Sequence, residues 1–156
     1  MSASVVAVVA VVACDDALAP SAEVDGLRFT ATADVGPLAG ASDPVVSASV
    51  SVRNVAGRRI ERTYDGGCFI RRFQAFLEQG GVRRLAWDSD RSPNWACTDD
   101  LALIDLAPGE TARPHNWGAG VPVAQMRDSL PAGRYEIVIR IQADDRELSA
   151  GFVRLD

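Results

Sequence analysis

The sequence predicts an all-β fold, an antiparallel β-sandwich of about eight strands, and three observations carry that prediction. Apolar and polar residues alternate with a period of two. In Pro44–Asn54, Val46, Ala48, Val50 and Val52 fall on one side while Ser47, Ser49, Ser51 and Arg53 fall on the other, as in a sheet with one wet face. Gly, Pro, Asn and Asp punctuate the chain at short intervals, which suits hairpins better than helices. Only Val123 to Leu130 is suited to a helical turn or two before Pro131 and Gly133 stop it.

The chain opens on something other than a strand. Val5 to Asp16 reads VVAVVAVVACDD, an apolar run of Val and Ala that ends at Cys14 before two aspartates. It is too short to span a bilayer, which takes about 20 residues, and too apolar for a half-buried strand. Val11, Val12 and Ala13 before Cys14 resemble a bacterial lipobox, whose cysteine is acylated and becomes the new N-terminus after cleavage. Residues 1–13 are therefore expected to be a lipoprotein signal peptide, with Cys14 the lipidation site. The alternative is a Val-rich strand, and the usual basic residue ahead of such a run is missing from Met1 to Ser4. Residues 14–26, with DDALAPSAEVDG after the cysteine, suit a flexible tether, and residues 27–156 the sandwich domain.

Within that domain Leu27 to Ala33 is the first expected strand, broken by Gly36, Pro37 and Gly40. Pro44–Asn54 follows, then a turn at Ala56 and Gly57, and Ile60 to Tyr64 as the next strand. Cys68 to Leu77 and Val82 to Trp87 make a hairpin across Gln79, Gly80 and Gly81. Asp88 to Asp100, DSDRSPNWACTDD, is a polar loop, and Leu101 to Leu106 a strand leading into the turn Ala107 to Glu110. Thr111 to Trp117 is expected at an edge, because Pro114 has no N–H to give a ladder. Tyr135, Ile137, Ile139 and Ile141 then alternate with polar residues, and Asp144 and Asp145 turn the chain into Glu147 to Leu155.

At 156 residues the chain has room for one real core and not for two. Three cysteines are an odd number for an exported chain, and lipidation of Cys14 accounts for one. Cys68 and Cys97 are then expected to form a disulfide, which an oxidising compartment permits. Closing a loop of about 30 residues would add roughly 3 to 4 kcal/mol. Two buried thiols are the alternative.

No catalytic set is visible. The one histidine, His115, sits among Pro114, Asn116 and Trp117 in a segment that reads as packed strand. No four ligands lie at zinc-like spacing, and a calcium loop begun at Asp88 would carry Pro93 where glycine is needed. No metal, no cofactor and no enzymatic activity are expected. Trp95 is the candidate anchor of a binding site, since a large aromatic in a polar loop makes protein or sugar contacts; Asp88, Asp90 and Arg91 flank it as candidate contacts. Trp95 folded back over the disulfide is the competing reading.

All 16 basic residues are arginine, and nine of them lie between Arg53 and Arg91 against five acids, while seven face sixteen elsewhere. That asymmetry fits either an acidic partner such as a polysaccharide or phospholipid or simply a wet sheet face. Nucleic acid is not an expected partner outside the cytoplasm.

Five segments in order, VSVRN at Val50 to Asn54, LAWDSD at Leu85 to Asp90, LAPGE at Leu106 to Glu110, Trp117, and PAGRYEI at Pro131 to Ile137, resemble the intracellular proteinase inhibitor (BsuPI) family. The resemblance covers roughly the last two thirds of the chain and implies an immunoglobulin-like sandwich. It also implies an alternative function, inhibition of a serine protease through an exposed loop, although no reactive-site peptide is identifiable. The expected function is a non-enzymatic, immunoglobulin-like binding module in a bacterial lipoprotein, held to the cell envelope by membrane lipid at acylated Cys14. Its expected partner is an envelope protein or polysaccharide, with a protease as the alternative.

Overall fold

The structure, a computed structural model, describes residues 18–37, 44–65, 69–92, 101–114, 117–123 and 131–156. They form eleven strands: β1 Ser21–Val24, β2 Leu27–Pro37, β3 Pro44–Asn54, β4 Ile60–Asp65, β5 Ile70–Gln79, β6 Val82–Asp88, β7 Leu101–Leu106, β8 Thr111–Ala112, β9 Gly118–Pro122, β10 Gly133–Ile141 and β11 Glu147–Leu155. Every pairing is antiparallel. One sheet runs β1-β2-β3 and continues on β8 and β9; a second runs β11-β10-β5-β6; β4 and β7 pair with each other. The all-β sandwich is thus the fold.

The core follows from the alternation. Leu27, Phe29 and Ala31 of β2 and Val46, Ala48, Val50 and Val52 of β3 face Tyr135, Ile137, Ile139 and Ile141 of β10, all of them buried. The β4–β7 pair adds Ile60, Ala102, Ile104 and Leu106 to the same cluster. Phe69 and Trp117 stack with centroids 3.6 Å apart, and Phe29 and Tyr64 close around them. Such rings combine the largest apolar areas with favourable ring geometry.

Three expected boundaries move. Residues 21–26, read as tether, are part of the sheet: β1 pairs with β2 across Asp25 (φ 52°) and Gly26 (φ 80°), the two-residue turn that Asp-Gly favours. Pro20 O accepts from Ala31 N at 2.9 Å and Ala19 O from Ser149 N at 3.1 Å, so the domain begins by Ala19. β2 runs to Pro37 because β3 pairs with it throughout, Leu27 with Asn54 to Pro37 with Pro44. The strand expected over Thr111 to Trp117 is short, β8 at Thr111–Ala112, and a separate strand, β9, follows at Gly118–Pro122, both on β3. Between them Pro114, lacking an N–H, turns instead, its carbonyl accepting from Trp117 N at 3.1 Å. The helical turns expected over Val123 to Leu130 lie outside the described residues past Val123.

Two of the motif segments meet in one knot. Asn54, fully buried at the end of β3, donates through Nδ2 to Leu106 O and Arg58 O, each at 2.8 Å, and accepts from Ala56 N at 2.9 Å. Its backbone exchanges bonds with the Ala107–Glu110 turn, Asn54 N to Glu110 O and Gly109 N to Asn54 O, both 2.9 Å. One amide side chain therefore fixes the 55–58 turn and the far end of β7. At β10, the Tyr135 hydroxyl donates to Pro131 O four residues upstream, the corner tie of immunoglobulin-type sandwiches.

Candidate functional site

The residues singled out around Asp88 lie at the end of β6. Asp88 is 3% exposed. Its carboxylate accepts from Arg72 (Nε at 3.0 Å, with a second, shorter bond from the other guanidinium nitrogen), from Gln74 Nε2 at 3.2 Å and from Asp90 N at 3.1 Å. Ser89 Oγ accepts from Phe73 N at 3.0 Å. The Arg72 guanidinium holds the Asp88 carboxyl below the usual aspartate range, against the opposing effect of burial. This is a structural tie between β5 and the 3₁₀ turn Ser89–Arg91, and it takes Asp88 out of reach of a ligand. Asp90 shares Arg72 at 3.1 Å, while Arg91 lines a shallow hollow with Leu85, Trp87 and the edge of Asp88. Trp95, the Cys68–Cys97 pair, His115 and Cys14 lie outside the described residues.

A wider cleft, about 650 Å³, opens between the β1–β2 turn, β4 and the β10–β11 turn. Arg62, Arg71 and Arg146 line or border it, paired with Asp25 at 3.7 Å, Asp145 at 3.6 Å and Asp144 at 3.0 Å. All six side chains are about half exposed or more, so each pair contributes about 1 kcal/mol or less. Glu23, also on the wall, pairs with Arg28, so each carboxylate named at the cleft has a guanidinium partner. Tyr64 forms part of its wall, and burial raises that hydroxyl's pKa. No cluster of three or more His, Cys, Asp or Glu able to hold a metal occurs among the described residues.

The third feature is β7. Its inward residues Ala102, Ile104 and Leu106 are buried, while Leu101 and Leu103 face outward, each 71% exposed. It pairs with β4 in unbroken register from Ile60–Leu106 to Asp65–Leu101 and has no other hydrogen-bonded strand partner among the described residues. Along its free side runs a groove of about 450 Å³, lined by the whole of β7 and, opposite, by Glu110, Ala112, Arg113 and Pro114. The groove lies where β8 pairs with β3 and not with β7.

A free, flat, apolar edge invites pairing with any other strand, and proteins guard such edges with charge, bulges, brevity or cover. The remaining edges among the described residues carry such devices, and β4, the other edge of its pair with β7, carries Glu61 and Arg62. β6 carries Arg83 and Arg84 and a register break between Ala75 and Phe76. β11 is covered at Ser149 by the Ala19 carbonyl and is bulged beside Ile137. β1 has four residues and β8 two, and β9 ends in proline. β7 has no bulge, and its one charge, Asp105, is held by Arg59 in a two-pronged ion pair with both contacts at 2.5 Å. The sequence carries a signal for this site, the run Leu-Ala-Leu-Ile, which is apolar on both faces where a strand with one wet face alternates.

No family model matches the chain, and no curated protein matches it. Among solved structures that match, one is a β-glucosidase involved in saponin metabolism from intestinal bacteria. It aligns at 15% identity with a TM-score of 0.34, over 82% of this chain and 16% of that one. At that level the likeness says nothing of activity.

Proposed function

We propose that this chain is a lipid-anchored, extracytoplasmic binding module with no catalysis of its own, and that it holds its partner on β7. The observation that carries the reading is the pair Leu101 and Leu103, each 71% exposed, on an unguarded edge strand beside a groove. Exposed leucines in that setting are costly to solubility unless something covers them. The anchor at Cys14 follows from the sequence. With Ala19 bonded to β11, only residues 15–18 separate Cys14 from the domain, a length of at most about 14 Å at about 3.5 Å per residue. The β11 side of the domain is therefore held close to the membrane surface.

A photo-crosslinking residue placed at Leu103, and separately at Thr32 on the outer face of β2, tests this in intact cells. Crosslinks to an envelope component from position 103 and not from 32 are expected. Equal yields from both, or none from 103, overturn the reading. Cys14→Ser is expected to release the protein from the membrane fraction, and unchanged retention removes the anchor.

The second reading, a serine protease inhibitor of the kind the motif resemblance implies, is favoured by the same strand, since proteases take their substrates as extended chains. Incubation with a panel of serine proteases separates the two. Sub-micromolar inhibition, lost in Leu103→Lys, establishes the inhibitor; its absence leaves the binding module.

A further inference from the structure

We infer that β7 takes its partner by strand addition: an extended segment of another protein lies antiparallel to β7, hydrogen-bonds its free main-chain edge, and sets apolar side chains beside Leu101 and Leu103 and a basic one beside Asp105. The inference rests on the binding-module reading above and names the chemistry of the partner.

Three observations lead to this occupant. The groove is lined by six consecutive residues of one strand, Leu101 to Leu106, so its wall is a main-chain edge. Peptides that add to such edges gain affinity from backbone hydrogen bonds and specificity from alternate side chains. The outward face of β7 changes character along its length. Leu101 and Leu103 are apolar, whereas Asp105 stands across from Glu61 in the ladder, and Asp105, Glu61 and Glu110 all act on the single guanidinium of Arg59. Even with Arg113 on the opposite wall counted, two cations there meet three carboxylates. The end of the groove near Leu106 thus favours a cation and the end near Leu101 favours hydrocarbon. Because an antiparallel partner meets Asp105 before Leu103 and Leu101, its sequence reads basic, then apolar at the next two alternate positions.

A second copy of this chain fits less well. Self-pairing centred on Leu103 would set Leu101 against Asp105 twice, an apolar side chain against a charge at each contact. Self-pairing centred on Ala102 would match Leu101 with Leu103 but use only three residues of β7. A heterologous segment has neither constraint.

The probe is a short, end-capped peptide with one lysine followed at alternate positions by two valines, threonine filling the places between. It is titrated to about millimolar concentration, the range of a single weakly held segment, into the full isotope-labelled chain in detergent and followed by amide chemical shifts. Shifts confined to Leu101–Leu106 and the facing 112–114 segment are expected. Leu103→Lys should weaken binding about tenfold or more, and so should N-methylation of the peptide at the amides that face β7, whereas Val82→Lys on β6 should leave it unchanged. Equal binding by the N-methylated peptide, shifts that map elsewhere, or no binding at all overturns strand addition. If crosslinking from position 103 persists in cells while the peptide fails, strand addition falls and the binding module stands. If position 103 forms no crosslink although the peptide binds, the binding module falls.

Discussion

β6 and β7 are both edge strands with an exposed aliphatic side chain, Val82 at 66% on one and Leu101 and Leu103 at 71% on the other, yet they are built to opposite ends. On β6 the valine is followed by Arg83 and Arg84; Arg83 lies 3.6 Å over the Phe76 ring and pairs with buried Glu136 at 2.6 Å. A bulge breaks the register, and the strand finishes in the Asp88 tie. An incoming strand would meet charge, a kink and committed side chains. β7 keeps an unbroken register with β4, is apolar on its inward face and at Leu101 and Leu103 outside, and is fixed at its far end by Asn54. The difference teaches that exposure alone does not mark a site. What marks β7 is a pair of exposed leucines without the bulge, brevity or cover that this same protein applies to β6, β8 and β11.

The comparison breaks most severely if β7 loses its fixing point. Asn54→Ala removes two side-chain donors and one acceptor from a fully buried position, leaving the Leu106 and Arg58 carbonyls and the Ala56 N–H without those bonds. A loss of about 3 kcal/mol or more is expected in denaturant unfolding. Asn54→Asp, which keeps the acceptor and loses the donors, should recover little of it. If instead the unfolding midpoint barely moves, β7 is held by its pairing with β4 alone.

On the β6 side the matching change is Asp88→Asn, which keeps the shape and removes the charge that Arg72 binds. About 2 kcal/mol is expected. The pH dependence has a definite sign. Arg72 depresses the folded-state pKa of Asp88 below the ordinary value of about 3.9, so the folded form prefers the carboxylate. The stabilisation is present above that value and is lost as the pH falls through the folded pKa. Wild type should therefore lose stability below about pH 4 faster than the variant does, and parallel curves from pH 6 to 2, with pH 4 unremarkable, would show that Asp88 does not contribute the titration.

The same contrast shows how much the sequence made legible. The alternation of Val46, Ala48, Val50 and Val52 placed β3 correctly because a period of two is a local property of the chain. The Asp25-Gly26 turn is local as well and announces the β1–β2 hairpin, although the small polar residues around it read equally as tether. Asp88 was legible as polar and not as buried, because its cation, Arg72, arrives from the neighbouring strand sixteen residues upstream. β7 was legible as a strand. That its other edge has no strand partner among the described residues depends on β8 pairing with β3 and not with β7, and no local pattern encodes that.

A smaller effect is expected when the guard of one edge is copied to the other. Leu103→Lys replaces a side chain that is mostly in water, so stability should change by no more than about 0.5 kcal/mol. Binding should nonetheless fall and any concentration-dependent association of the wild type should disappear, as judged by light scattering. Unchanged association would mean that the exposed leucines do not drive it.

The smallest effect is the converse, stripping one charge from β6. Arg84→Leu removes an exposed arginine that has no ion pair among the described residues, and the stability change should again stay within about 0.5 kcal/mol. It should not turn β6 into a second binding edge. The bulge beside Phe76 still interrupts the ladder, and Arg83 remains clamped between Phe76 and Glu136; either device alone denies an extended partner a continuous run of main-chain bonds. The asymmetry is the point of the test: one charge suffices to close β7, whereas losing one does not open β6. Peptide-induced shifts along Val82–Asp88 in Arg84→Leu would show that a single arginine was the whole guard, and the unbroken register of β7 would then lose its weight as the reason a partner chooses it.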